Sequence, residues 1–153
     1  MKKIKLTQRK FALVDNTDFE WLNQWKWCSK KGKTCFYALN KKDGKTRLMH
    51  RLIMDCPKDK QIDHINGDGL DNRRENLRIC TNAENSRNAK IPKNNISGYK
   101  GVSFQKKNKK YRAELRFNRK LIFLGLFKTK KQAAQVYNDG VKKYFGEFAK
   151  LNA

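Results

Sequence analysis

A chain that carries 37 Lys and Arg against 14 Asp and Glu in 153 residues, a formal charge of +23, has to fold against its own repulsion. A chain of this length forms one ordinary domain or two small ones, each with a thin core, because small domains bury a smaller share of their surface. A large enclosed pocket is excluded on the same ground. Charge of this magnitude exceeds what solubility needs and calls for a polyanionic partner that offsets the repulsion. Nucleic acid fits and a membrane does not, since no long apolar run and no amphipathic basic helix is present.

The charge is unevenly dense. Residues 1–95 hold 22 basic and 11 acidic side chains, whereas residues 96–153 hold 15 and 3. Between the two parts, "NAKIPKNNISG" gathers Pro, Asn, Ser and Gly without apolar periodicity, as a junction does. The expected organisation is therefore a first domain over 1–91, a linker over 92–97 and a second domain over 98–153. Cys28, Cys35, Cys56 and Cys80 are widely spaced with no C-x-x-C pair, which predicts buried free thiols in a reducing cytoplasm.

In the first part, "CFYALN" and "TRLMHRLIM" read as strands, with Asp43-Gly44 as a tight hairpin turn between them. Upstream, Phe19, Leu22 and Trp25 form a helix-like apolar stripe. "QIDHIN" reads as a short strand that points Asp63 and His64 to opposite faces, because side chains alternate along an extended chain. "NGDGLDN" forces a loop, and Thr81-x-x-Glu84 is a capping box that starts a helix and puts Asn85 in its first turn.

The Asp63-His64 pair, Asn76 in "ENLR" and Asn85 in "AEN", in that order and spacing, resemble the HNH nuclease motif of phage and intron-borne homing endonucleases. The motif core covers 49–89. The resemblance implies a two-stranded ribbon and a helix around one divalent metal, with Asp63 and Asn85 as ligands, His64 as general base and Asn76 as the residue that orients His64. Each side-chain type suits that chemistry. A neutral imidazole, with an ordinary pKa of about 6.5, accepts a proton from water near neutral pH. A carbonyl oxygen on its other nitrogen holds it correctly turned. Asp63 and Asn85 offer hard oxygens suited to magnesium or manganese, and Asn85 stands where the commonest family pattern has histidine. Asp68, Asp71 and Asn72 read as turn residues that bond loop backbone. Arg51, Arg73, Arg74 and Arg78 are expected to hold the DNA backbone or offset transition-state charge, and His50 is expected to be structural or a weak phosphate contact.

In the second part, "YKGVSF", "KYRAELRFN" and "KLIFLGLF" are three strand-like runs. Tyr111, Ala113, Leu115 and Phe117 share one face of the middle run, while Arg112, Glu114 and Arg116 share the other. Thr129-x-x-Gln132 caps a helix whose stripe of Ala133, Val136, Tyr137, Gly140, Val141 and Tyr144 covers the apolar face before Gly146 ends it. "YKGV", "YRAELR", "LGLF", "AAQVYN" and the terminal "LN" resemble the plant ethylene-response-factor domain of the Apetala-two type. That resemblance implies a three-stranded sheet entering the DNA major groove. Position by position, the contacts would be Lys100, Gly101, Ser103 and Gln105, then Arg112, Glu114, Arg116 and Arg119, and finally Phe123. Ser103 and Gln105 stand where the plant domains have arginines and Phe123 where they have tryptophan, so the plant base preference does not carry over.

The chain therefore reads as an α+β protein: a beta-rich region with a beta-beta-alpha-metal motif, then a small antiparallel three-stranded sheet packed on one helix. The expected activity is metal-dependent cleavage of double-stranded DNA by a monomer or homodimer in the cytoplasm of a bacterial host, encoded by a phage or mobile element. The alternative is a sequence-specific DNA-binding regulator without catalysis.

Overall fold

In the computed structural model the described residues are all of the 153 except Lys33, Thr34, Lys90, Pro92 and Lys93. The chain divides into two compact units, Met1–Ser86 and Arg87–Ala153. The linker expected over 92–97 thus falls inside the second unit, and its first two residues lie outside the described ones.

The first unit opens with a hairpin that the sequence reading did not anticipate, β1 (Lys2–Lys5) against β2 (Phe11–Val14). Alternation sends Ile4, Ala12 and Val14 inward, all at most 2 % exposed, while lysines line the outer side. The short helix α1 (Asn16–Asn23) follows and buries Leu22. Strands β3 (Cys28–Lys31), β4 (Phe36–Lys42) and β5 (Lys45–Leu48) then form an antiparallel sheet in that order. Asp43 and Gly44 take φ values of 54° and 69°, the paired left-handed conformation of a tight hairpin.

The expected strand "TRLMHRLIM" is half right. After Leu48 the chain turns into the helix α2 (Met49–Ile53), which buries Met49, His50 and Ile53. Burial at i, i+1 and i+4 is a helical arc that an extended chain cannot direct at one core. Strand β6 (Gln61–His64) pairs antiparallel with β7 (Leu77–Cys80), and α3 (Asn82–Arg87) follows. Its capping box is present, with Thr81 N donating to Glu84 Oε2 at 2.7 Å and Glu84 N donating to Thr81 Oγ1 at 3.3 Å. One core cluster joins Ile4, Val14, Leu22, Trp27, Met49, Ile62 and Leu77. Each fully buried aliphatic side chain there contributes about 2 kcal/mol. The Trp27 indole N–H donates to Leu22 O at 2.8 Å, so its burial leaves no polar group unmet.

The second unit is a sheet in the order β10 (Lys120–Phe127), β9 (Lys110–Phe117), β8 (Val102–Gln105), with α4 (Lys130–Phe145) against one face. Val102, Ala113 and Leu115 meet Ala133, Tyr137 and Val141 there. The Thr129–Gln132 capping box starts α4, and Gly146, at φ 55°, ends it. The terminal "LN" has a structural role. Asn152 exchanges hydrogen bonds with Asn138 at 2.8 and 3.0 Å and with the Lys100 backbone at 2.6 and 3.1 Å, fastening the tail to α4 and to the segment before β8.

Candidate active site and nucleic-acid face

The loop between β6 and β7 is held by the edge of β2. Leu13 N donates to Leu70 O at 2.9 Å and Asn72 N donates to Leu13 O at 2.8 Å. At Gly69 a Cβ would overlap the Phe36 carbonyl oxygen and sit 2.7 Å from the Tyr37 ring, so the loop passes β4 only as glycine. This path carries Asn72, with 0 % exposure, to the imidazole of His64. His64 Nε2 donates to Asn72 Oδ1 at 3.4 Å, and the Asn72 amide nitrogen, donating to Leu70 O at 3.2 Å, sets the direction of that oxygen.

Asn76, expected to orient His64, makes its side-chain hydrogen bonds within the loop instead. The Asn76 amide nitrogen donates to Asp71 O at 2.8 Å and to Asn66 Oδ1 at 3.1 Å, and its oxygen accepts from Asn66 N at 3.0 Å. Asn76 shapes the loop, and Asn72 supplies the carbonyl that faces the ring. The carboxylate of Asp71, a turn residue as expected, is taken by Arg73 and Asn66.

His64 is 6 % exposed and packs beside a second imidazole. The His50 ring lies edge-on to it at 5.0 Å, and the Tyr37 ring is 5.7 Å from His50 and 6.0 Å from His64. Burial pushes the His64 pKa below the usual 6.5, against the Asn72 hydrogen bond and the carboxylates of Asp63, Asp68 and Asp71. Burial, then His64 and Arg51, push His50 down to about 3. Both rings are neutral at pH 7. Among the described residues His50 Nδ1 is buried without a hydrogen-bond partner. A cavity of about 280 Å³ opens beside it, lined by Tyr37, Leu48, His50, Arg51, Gln61, Ile62 and Asn85.

On the opposite face of β6, Asp63 faces Arg78 across the ribbon, and Arg78 Nε and Nη2 donate to Asp63 Oδ2 at 2.8 and 2.6 Å. Gln61 shares that face by alternation, and the Asn85 amide nitrogen donates to Gln61 Oε1 at 2.7 Å. Asn85 is thus tied to the strand that carries Asp63. Their donor set, one carboxylate and one carboxamide oxygen, suits a hard divalent cation. The described residues contain no cluster of three or more His, Cys, Asp or Glu suited to a metal. Gln61, Asn72 and Tyr37, which adjoin Asn85 and His64, were not expected there, since each acquires its place only through the folded loop and sheet.

The four arginines expected at phosphate are engaged within the protein. Arg51 donates to Lys60 O, Cys56 O and Pro57 O at 2.8, 3.2 and 2.7 Å. Arg73 grips Asp71 and Glu75, and Arg74 grips Asp18 at 2.7 and 2.8 Å, tying α1 to the turn before β7. Arg78 holds Asp63. Guanidinium forks with carboxylates or carbonyls this close satisfy each other, which is why the loop chemistry claims them.

In the second unit the strand register puts Ser103, Gln105, Arg112, Glu114, Arg116 and Phe123 on the sheet face away from α4. Arg112 Nε sits 2.6 Å from Glu114 Oε2 as an ion pair without hydrogen-bond alignment, and its guanidinium lies 5.3 Å from the Phe123 ring centre. Arg119 occupies the β9–β10 turn at φ 65° and is exposed. Two of the residues expected at DNA also have intramolecular roles. The Lys100 ammonium donates to the carbonyls of Arg87 and Ala89. A Cβ at Gly101, which has φ 71°, would overlap the Tyr137 ring and sit 2.7 Å from Glu114 O. Lys100 is thus a strap and Gly101 a close-approach position beneath α4.

Residues 47–87 match the profile of a family described as HNH endonuclease. The chain is 34 % identical over 145 residues to an uncharacterized HNH endonuclease of Acanthamoeba polyphaga mimivirus, covering 93 % of this chain and 74 % of that protein. It is 46 % identical over 56 residues to protein 3.8 of Escherichia phage T7, covering 37 % of this chain and 46 % of that one. No solved structure matches it. No helix among the described residues is long and apolar enough to cross a membrane.

Proposed function

This chain belongs to the HNH endonuclease family and is a nuclease, and from that premise we propose a metal-dependent homing-type DNA endonuclease whose first unit cuts and whose second selects the site. The observation that carries the reading is the β6 ribbon itself. Consecutive residues Asp63 and His64 supply a carboxylate and a neutral imidazole from one strand, and Asn85, bonded to Gln61 of that same strand, lines the cavity beside His50, whose ring packs on His64. A divalent cation, magnesium or manganese, held by Asp63 and Asn85 would supply positive charge to the phosphoryl oxygens.

The residues of the chain do the rest. His64, neutral because it is buried, takes a proton from the attacking water as the water oxygen bonds to phosphorus, and the bond to the three-prime oxygen breaks with that oxygen taking a proton from solvent. The products carry a five-prime phosphate and a three-prime hydroxyl. Asn72 keeps the ring turned, and Asn76 keeps the loop that carries Asn72. Arg78 holds the Asp63 carboxylate in place across the ribbon. One such site per chain cuts one strand at a time, so a monomer nicks and a homodimer breaks both strands. The second unit, Apetala-two-like in its three strands and single helix, lays the Arg112, Glu114 and Arg116 row in the major groove, supported by a charge of 15 basic against 3 acidic residues over 96–153. The viral relatives are consistent with a mobile-element origin and action on DNA inside a host cell.

Purified protein incubated with supercoiled plasmid and magnesium is expected to nick it, chelator is expected to stop the reaction, and His64→Ala is expected to bind DNA normally without cutting. Undiminished cutting by His64→Ala would defeat the assignment of the base. DNA binding without any cutting by the wild type would leave the regulator reading.

A further inference from the structure

The outer face of the β8–β10 sheet is made of three unlike rows. Ser103 and Gln105 lie on β8, and Arg112, Glu114 and Arg116 lie on β9. On β10 the cross-strand partners of Arg116, Glu114 and Arg112 are Leu121, Phe123 and Leu126. Leu121 is 52 % exposed and Phe123 56 %, and Leu126 is half-buried. Large apolar side chains set in a row on an otherwise cationic face mark a contact surface rather than a solvated one.

We infer that the Leu121, Phe123 and Leu126 row reads the C5-methyl groups of thymine in the major groove, so that the sheet prefers sites with thymines beside the bases read by β9. This rests on the reading that the sheet enters DNA. The occupant follows from charge: Arg112 and Arg116 flank the apolar row, and a second copy of the chain laid on the same face would bring like charges together, whereas duplex DNA neutralises them. The apolar group that DNA displays in the major groove is the thymine methyl. Dimensions agree. Strands lie about 4.8 Å apart, so three span roughly 10 Å, within a groove about 12 Å wide. For strands running along the groove, side chains on one face of a strand repeat every ~6.8 Å, which is about two base-pair steps of 3.4 Å. Leu121 and Phe123 would then meet bases two steps apart, while the arginines of β9 address hydrogen-bonding edges one strand over.

The test uses the full chain in buffer with EDTA, so that DNA is bound but not cut. Fluorescence anisotropy compares an alternating d(AT) duplex with its d(AU) counterpart, which lacks the methyls, and alternating d(GC) duplexes with and without 5-methylcytosine. Burial of one methyl is worth about fourfold in affinity, so loss of two is expected to weaken d(AU) roughly fifteenfold against d(AT). Methylating cytosine is expected to tighten d(GC) binding. The variant carrying Leu121→Ser and Phe123→Ser, whose positions lie away from α4, is expected to keep its helical circular dichroism and to lose most of its preference for d(AT) over d(AU). Equal binding of d(AT) and d(AU) by the wild type overturns the inference while leaving DNA binding intact. Binding of no duplex overturns the DNA reading beneath it. A variant whose sedimentation changes while its d(AT) preference persists identifies a self-association face, which also overturns the inference.

Discussion

Two neutral imidazoles in the interior make the first unit acid-sensitive in a way that can be calculated. His50 is 6 % exposed and its folded pKa is about 3, against 6.5 in the unfolded chain. The folded pKa lies below the unfolded one, so the contribution is fully present above pH 6.5 and is lost as pH falls toward 3. Within that window the unfolded state binds one proton more, which removes about 1.4 kcal/mol per pH unit. Between pH 7.5 and 5.0 His50 alone therefore costs about 2 kcal/mol, a large share of a typical stability of roughly 5–15 kcal/mol. His64, shifted in the same direction, adds to the loss. His50→Phe keeps a flat ring of similar size, removes the titration and removes the unpartnered Nδ1. The three tryptophans, Trp21, Trp25 and Trp27, all lie in the first unit, so urea titrations followed by their fluorescence report on it. The wild type is expected to lose at least about 2 kcal/mol more than His50→Phe between pH 7.5 and 5.0. Equal losses in the two proteins would refute the burial argument.

Replacing Gly101 with Ala is expected to destabilise the second unit by about 3 kcal/mol, because the backbone is left-handed there and the new methyl overlaps the Tyr137 ring; thermal unfolding followed by circular dichroism measures it. Arg74→Ala leaves Asp18, which is 2 % exposed, without its guanidinium, and a loss of about 2 kcal/mol is expected, discounted because Arg74 itself is half exposed. The same variant is expected to keep the salt dependence of DNA binding, whereas Arg112→Ala is expected to reduce the slope by about one. A reduced slope in Arg74→Ala would restore Arg74 to the DNA interface.

The parts of this protein that the sequence determined by itself are the ones whose causes are local. The Asp43-Gly44 turn, both capping boxes, the alternating faces of "KYRAELRFN" and the opposed directions of Asp63 and His64 each depend on a few neighbouring residues and on the period of a strand or helix. The region up to Val14 and the turn into helix at Met49 were not legible, because short apolar runs carry too little periodicity to decide between strand, helix and loop until a core exists for them to face. The tertiary structure alone decided the partners. Asn72 reaches His64 because β2 pins the loop, and Gln61 meets Asn85 because β6 and α3 adjoin. Arg51, Arg74 and Lys100 bond inward because carbonyls and carboxylates distant in sequence, or hidden in a loop, come within 3 Å of them once the chain folds. A side chain's chemical capacity is written in its type, but which group satisfies it depends on three-dimensional distance, and a hydrogen bond or ion pair weakens steeply beyond the first few ångströms.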